Sequence, residues 1–237
     1  MDDPNGPRPG GVMAAFVLLR DKIIAKLNSH QPDVRQVPMW HLGFHQRPPN
    51  EWLCQVAAQL YEPGEPRQMW GFQFQNRMTA CVLEYLLPDR QQRNGRAAGP
   101  PIVHLVSVTL PAALPPLTVT KDSRLKQFVK SNDLHLGHKA FDDAFHVQAS
   151  DEQYARALLR PPVLDWAVRF RSMQWQVAGN SLVTWADGEF VPAKVSRRLQ
   201  ALAGIADRIP ASVLRDYGRP TTAPPADDPR GLIPGFD

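Results

Sequence analysis

Cysteine is nearly missing: Cys54 and Cys81 are the only two in 237 residues. Two thiols, each inside an apolar run, make neither a disulfide framework nor a zinc site, and they point to a reducing compartment, the cytoplasm. Lysine is scarce too, with 7 Lys beside 20 Arg among the 27 basic residues. No run of five or six like charges occurs, so a formal charge of +4 and a pI near 9.3 do not by themselves mark a nucleic-acid footprint. Heavy Arg, Ala and Pro usage is what GC-rich coding writes by default. Long apolar runs are lacking as well. The stretch 12–19 is interrupted by Arg20, Asp21 and Lys22, far short of the roughly 20 apolar residues a spanning helix needs. The opening, with Asp2, Asp3 and Arg8, reads without an export signal. Also missing are the Gly-x-Ser-x-Gly elbow, a Gly-rich phosphate loop and Gly-x-Gly-x-x-Gly. These absences argue strongly against the common hydrolases, kinases and dehydrogenases, and they leave no catalytic, cofactor or metal residue to name.

What the chain has in excess is proline, 24 residues in all, about twice the usual 5%. Each Pro removes a backbone donor and blocks the helix behind it, which excludes a coiled coil or an unbroken helical bundle. Eight of the 24 lie in 1–10 and 219–237, and those ends read as disordered tails. The rest divide the chain into a tail at 1–11, an amphipathic and Pro-rich region at 12–66, a globular unit at 67–218 and a tail at 219–237.

Within these divisions, Val12, Phe16, Leu19, Ile23 and Leu27 recur at helical spacing and predict an amphipathic helix over 12–27. Asn50 is placed to cap a helix over 51–60. Strand character marks 69–74, 79–87, 103–110 and 117–120, with a polar loop at 89–99. A short helix is expected at 123–130 and a short extended piece at 133–136. Further on, Asp151 or Ser150 caps a helix to Leu159, and Pro162 opens a second to Phe170. A hairpin at 174–185 is expected to bury Trp175, Val177, Val183 and Trp185 on one face. Pro192 then opens the longest helix, 192–209, which Pro210 ends. The fold class is therefore α+β: antiparallel strands with a C-terminal helix-hairpin-helix portion packed against them, and disordered termini.

The run Leu110-Pro111-Ala112-Ala113-Leu114-Pro115-Pro116-Leu117-Thr118-Val119, then Asp133-Leu134, Phe141-Asp142-Asp143-Ala144-Phe145-His146-Val147, Ala155-Arg156-Ala157-Leu158-Leu159-Arg160-Pro161 and Gly179-Asn180-Ser181-Leu182 resembles, in this order, an uncharacterised actinobacterial domain-of-unknown-function family. The resemblance covers about 70–215. It implies one folded α+β unit and no activity. Relatives commonly carry an N-terminal membrane helix, and here only the interrupted stretch 12–19 stands in its place.

Five sets of residues could carry chemistry. His41 and His45, four apart, would face one ion on a helix, but the Glu that a zinc protease needs beside the first His is Leu42 here, and Gly43, Pro38, Pro48 and Pro49 disfavour a helix. With His135, His138 and Asp133 they make the alternative reading, a divalent-metal hydrolase. Asp142 and Asp143, with Asp133, read as paired carboxylates or, more simply, as the start of a solvated helix between Phe141 and Phe145. On the final helix Val195, Leu199, Leu202, Ile205, Ala206 and Ile209 share an apolar arc while Lys194, Arg197 and Arg208 gather on one side. That stripe fits an acidic partner, lipid headgroups or phosphate, though base-stacking aromatics are missing from the same face, which disfavours nucleic acid. Of six Trp residues five sit at core positions; Trp40, beside His41, is the exception. The reading that results is a non-enzymatic interaction or accessory domain of the cytoplasm with an unidentified protein partner, peripherally membrane-associated through helix 12–27.

Overall fold

The computed structural model describes residues 39–74, 77–88, 100–121 and 134–220. The tail at 1–11, the helix at 12–27, the loop at 89–99, the helix at 123–130, Asp133 and all but the first two residues of the 219–237 tail lie outside the described residues. A 3-10 turn at Met39–Leu42 leads into strand β1 (His45–Arg47), helix α1 (Glu51–Leu60) and the strands β2 (Glu65–Phe74), β3 (Arg77–Leu86), β4 (Ile102–Thr109) and β5 (Leu117–Thr120). Then come α2 (Lys139–Asp142), β6 (His146–Ala149), α3 (Glu152–Leu158), α4 (Pro161–Arg169), the hairpin β7 (Trp175–Ala178) and β8 (Ser181–Asp187), α5 (Pro192–Arg208) and α6 (Ala211–Asp216). The eight strands form one sheet in the order β1-β2-β3-β4-β8-β7-β5-β6, and every neighbouring pair is antiparallel. The α+β class holds. The hairpin is not a separate portion laid on the strands, however, because β8 pairs with β4 and β7 with β5, so it closes the middle of the sheet.

Local chemistry sets the helix ends. Asn50 Oδ1 accepts from Leu53 N at 3.2 Å, and Asp151 Oδ1 accepts from Gln153 N and Tyr154 N, each satisfying donors the first turn leaves orphaned. Pro161 and Pro192 occupy first-turn positions of α4 and α5, where a missing N–H costs nothing. Four short elements are not evident in the residue pattern: the 3-10 turn at Met39–Leu42, β1, α6, which starts directly behind Pro210, and β6, which pairs with β5.

Both faces of the sheet are covered. On one, α1 sets Leu53, Val56 and Ala57 against Met69, Leu83, Tyr85, Val103, Leu105, Val183 and Trp185. On the other, the helices α2 to α6 and the 39–44 segment cover Ala80, Val82, Val106, Val108, Leu117, Val119, Val147, Trp175, Val177 and Leu182. Thus the 39–60 region packs on the same sheet as the rest. The single buried face expected for the hairpin is corrected. All four of its residues are buried, but the register Trp175↔Thr184 and Val177↔Leu182 puts Trp175 and Val177 on the second face while Val183 and Trp185 lie on the first. A two-residue turn, Gly179-Asn180 with Gly179 at φ +54°, fixes that register. Because β8 is buried on both sides from Ser181 to Trp185, hydrophobic alternation cannot reveal its faces.

Candidate functional site

Glu84 and His104, an acid and an imidazole, are cross-strand partners on the second face, each 2% exposed. The chain that follows β8 folds over them. Glu84 Oε1 accepts from Phe190 N at 3.1 Å, and its Oε2 accepts from Gln68 Nε2 at 2.5 Å. Arg67 Nη1 lies 3.7 Å from Oε2 but is closer, at 2.6 Å, to Glu189 Oε1. The His104 ring places Nδ1 2.8 Å from Gly188 O, so that nitrogen carries the proton and donates it, and the buried Nε2 has no partner among the described residues. Burial pushes the imidazole below its ordinary pKa; the Gly188 bond and the Glu84 charge oppose this, while Arg198 and Lys194 reinforce it. Arg198, from α5, donates to Thr184 Oγ1 at 3.0 Å and Trp185 O at 3.3 Å, and Thr184 Oγ1 donates to Gln174 O at 2.6 Å. At the end of β8, Tyr61 OH donates to Asp187 Oδ1, and burial with that carboxylate raises the phenol pKa. The effect of the whole network is mechanical. It pins the 188–190 turn, and with it the start of α5, whose N-cap Val191 has no side-chain cap of its own.

The histidines do not converge. His45 stands exposed on edge strand β1 and His41 lies in the preceding 3-10 turn, whereas His135 and His138 precede α2 beside β6, the opposite edge of the sheet. Among the described residues no group of three or more His, Cys, Asp or Glu is placed to hold a metal. His138 is instead a helix cap: Nδ1 accepts from Phe141 N at 3.2 Å and Nε2 lies 3.0 Å from Asp165 Oδ1. Asp142 and Asp143 diverge too. The Asp142 carboxylate accepts from Leu136 N and Gly137 N, and Asp143 lines a shallow depression of about 340 Å³ with Lys139, Ala140, Ala144 and Arg171. Trp40 is 59% exposed beside β1.

The basic stripe is where the structure adds most. The aromatics missing from α5 itself are supplied by α4. Trp166 and Phe170 lie 5.3 Å apart, centroid to centroid. Arg208 sits 4.2 Å and Arg169 5.6 Å from the Trp166 ring centre, and Arg197 sits 6.0 Å from that of Phe170. Three guanidiniums therefore surround two adjoining rings, a cation–π arrangement that holds planar forks in place. Gly204 makes the approach possible, since a Cβ there would fall inside the Trp166 indole, whose Nε1 donates to Ala201 O at 3.0 Å. Arg208 also donates to Gly204 O at 2.8 Å and lies 4.0 Å from Asp207. Among the described residues neither Arg169 nor Arg197 has a carboxylate partner, and both are exposed. Of the three cations read from the sequence, Arg197 and Arg208 join this cluster; Lys194 is exposed near the start of α5, one turn before Arg197 and Arg198. Arg169 was missed because it lies on another helix. Glu84 and His104 were missed too, though a single ionisable residue inside each of the apolar runs Val82-Leu83-Glu84-Tyr85-Leu86 and Val103-His104-Leu105-Val106 is a readable signal.

Fold and site together define an α+β protein with a sealed polar core and a cation-aromatic surface. No family model and no curated protein matches the chain. Among solved structures it is similar to the crystal structure of the mycobacterial trehalose monomycolate transport factor A, TtfA, at 11% identity and a TM-score of 0.48, over 86% of this chain and 97% of that one. At that level the likeness says nothing of activity, substrate or partner. Among the described residues no helix is long and apolar enough to cross a membrane.

Proposed function

We propose that this chain is a non-enzymatic accessory domain of the cytoplasm, an interaction module that works peripherally at a membrane through an amphipathic helix at 12–27, and that it belongs with the uncharacterised actinobacterial proteins it resembles. The observation that supports this reading is the division of its polar groups. The acid–base pair of the core, Glu84 and His104, is closed at 2% exposure, with both carboxylate oxygens and Nδ1 occupied by fold contacts. The guanidiniums of α4 and α5 stand outside. General acid–base work needs groups that reach a substrate proton, and a sealed pair does not reach one. The metal-hydrolase alternative loses its support with the separation of His45 from His135 and His138. Co-sedimentation of the full chain with lipid vesicles tests the reading: the parent is expected in the pellet and Phe16→Glu with Ile23→Glu in the supernatant. Equal recovery of both in the supernatant would overturn the peripheral-membrane reading.

A further inference from the structure

We infer that the outer face of α4 and α5, built from Arg169, Arg197 and Arg208 around Trp166 and Phe170, is a docking surface for the phosphate headgroups of an anionic bilayer. It rests on the peripheral-membrane reading and adds to it a second contact, its residues and its lipid class. Three features of the surface fit this occupant. Arg169 and Arg197 are exposed and without carboxylate partners among the described residues, so their charge is not already neutralised. Arg208 stacks at 4.2 Å and Arg169 and Arg197 stand 5.6 and 6.0 Å from ring centres, so the rings restrict the guanidiniums and lower the side-chain entropy lost when their forks bond phosphate bidentately. Trp166 and Phe170 are half-buried, apolar bodies at the base of a charged rim, the composition of a membrane-interface belt.

A nucleic acid fits less well. Single-strand binding relies on bare ring faces for base stacking, and here Arg208 and Arg169 lie against the Trp166 ring. The chain also carries a second element of the same character. The 12–27 segment sets Arg20, Lys22 and Lys26 against only Asp21, beside its apolar row, the pattern of a helix lying on an anionic bilayer. One weak membrane contact gives only marginal, reversible binding, and a second basic, apolar-backed segment in the same chain supplies the further signal that firmer attachment takes.

The test is co-sedimentation of the full chain with vesicles of phosphatidylcholine alone and of phosphatidylcholine mixed with phosphatidylglycerol. The parent is expected to bind the mixed vesicles and not the neutral ones. Arg169→Gln with Arg197→Gln, which changes only exposed positions and should melt with the parent, is expected to bind about thirtyfold more weakly, about fivefold for each cation lost at the surface. The same charge removed at Arg156 and Arg215, which are paired with Glu152 and Asp216, is expected to cost less than about threefold. Equal loss in the two double variants overturns the inference, because net charge alone then accounts for it. If Arg169→Gln with Arg197→Gln binds as the parent does while Phe16→Glu with Ile23→Glu does not, the inference falls and the peripheral reading stands. If the parent binds neither vesicle, both fall, and binding of a single-stranded oligonucleotide that is lost in Arg169→Gln with Arg197→Gln would reassign the surface to nucleic acid.

Discussion

Glu84→Ala removes the one group that joins β2, β3 and the 188–190 turn. Two donors lose their acceptor at once, Phe190 N and Gln68 Nε2; Glu84 itself is 2% exposed, while both donor residues are half-buried. Leaving a fully buried donor unsatisfied costs about 1 to 3 kcal/mol, and with these two only half-buried the pair costs roughly 2 to 4 kcal/mol. The Arg67 contact adds little: at 3.7 Å, with Arg67 nearly half exposed and better engaged by Glu189, it is worth about 0 to 1 kcal/mol. Against a total stability of about 5 to 15 kcal/mol, the expected loss of about 3 kcal/mol is large. Glu84→Gln is the informative control. Its carbonyl oxygen still accepts from Phe190 N, and a rotated Gln68 amide accepts from the new NH2, so the loss is confined to charge assistance, about 1 to 2 kcal/mol. Urea unfolding at neutral pH measures both variants, and amide exchange at Phe190 reports the turn directly. If Glu84→Ala unfolds within about 1 kcal/mol of the parent and the Phe190 amide exchanges at an unchanged rate, Glu84 does not anchor the turn.

His104 has a folded pKa below its ordinary value, so below about pH 6.5 the unfolded chain binds a proton that the folded chain refuses, and stability falls as pH drops, by at most about 1.4 kcal/mol per pH unit. His104→Gln is expected to lose less stability between neutral and mildly acid pH than the parent does in parallel urea titrations; equal slopes would refute the assignment. Tyr154→Phe removes a buried hydroxyl that has no partner among the described residues, so the variant should unfold at the same or higher urea, with a gain of up to about 1 kcal/mol; a loss above 1 would show that the hydroxyl is bonded. Gly204→Ala sets a helix-propensity gain of about 1 kcal/mol against overpacking of about 1 to 3 and the loss of the Trp166 bond to Ala201 of about 1. Net destabilisation of about 1 to 3 kcal/mol in urea is expected, and a stabilised variant would mean that the indole moves aside freely. Cys81, a half-buried residue whose thiol is pushed up to about 12 by desolvation, should alkylate more slowly in the folded chain at mildly alkaline pH than once unfolded; equal rates in the two states would contradict that protection.

Much of the architecture was legible because its signals are local. Asn50 and Asp151 cap the helices they precede, Pro161 and Pro192 sit in first turns, and Leu117 to Thr120 forms the strand its β-branched residues suggest. The α5 apolar arc is buried as its 3.6-residue period implies. Position in the sheet was not legible. The partner of β8 is β4, some eighty residues earlier, and no local pattern carries that pairing. Nor does alternation survive where helices cover both faces, which is why Val183 and Trp185 were assigned to the wrong side.

The same physics explains why the cation-aromatic cluster stayed half hidden. A helical wheel sees one helix, and on α5 it correctly gathers Arg197 and Arg208; the rings and the third guanidinium belong to α4, and the two helices meet where Gly204 lets the Trp166 indole settle against the α5 backbone. A glycine inside a long helix costs about 1 kcal/mol relative to alanine. It is retained here at a cost smaller than the bond and the stacking its absence of a side chain permits. That contact explains the aromatic base of the surface and the orientation of Arg208, yet it does not require Arg169 and Arg197 to be charged and unpaired. For those two the fold offers only the ring contacts at 5.6 and 6.0 Å: glutamine at either position would leave every described hydrogen bond in place. At exposed positions such ring contacts are worth only about 0.5 to 1 kcal/mol, so their charge is the part of this surface that packing explains least and that an anionic partner would explain.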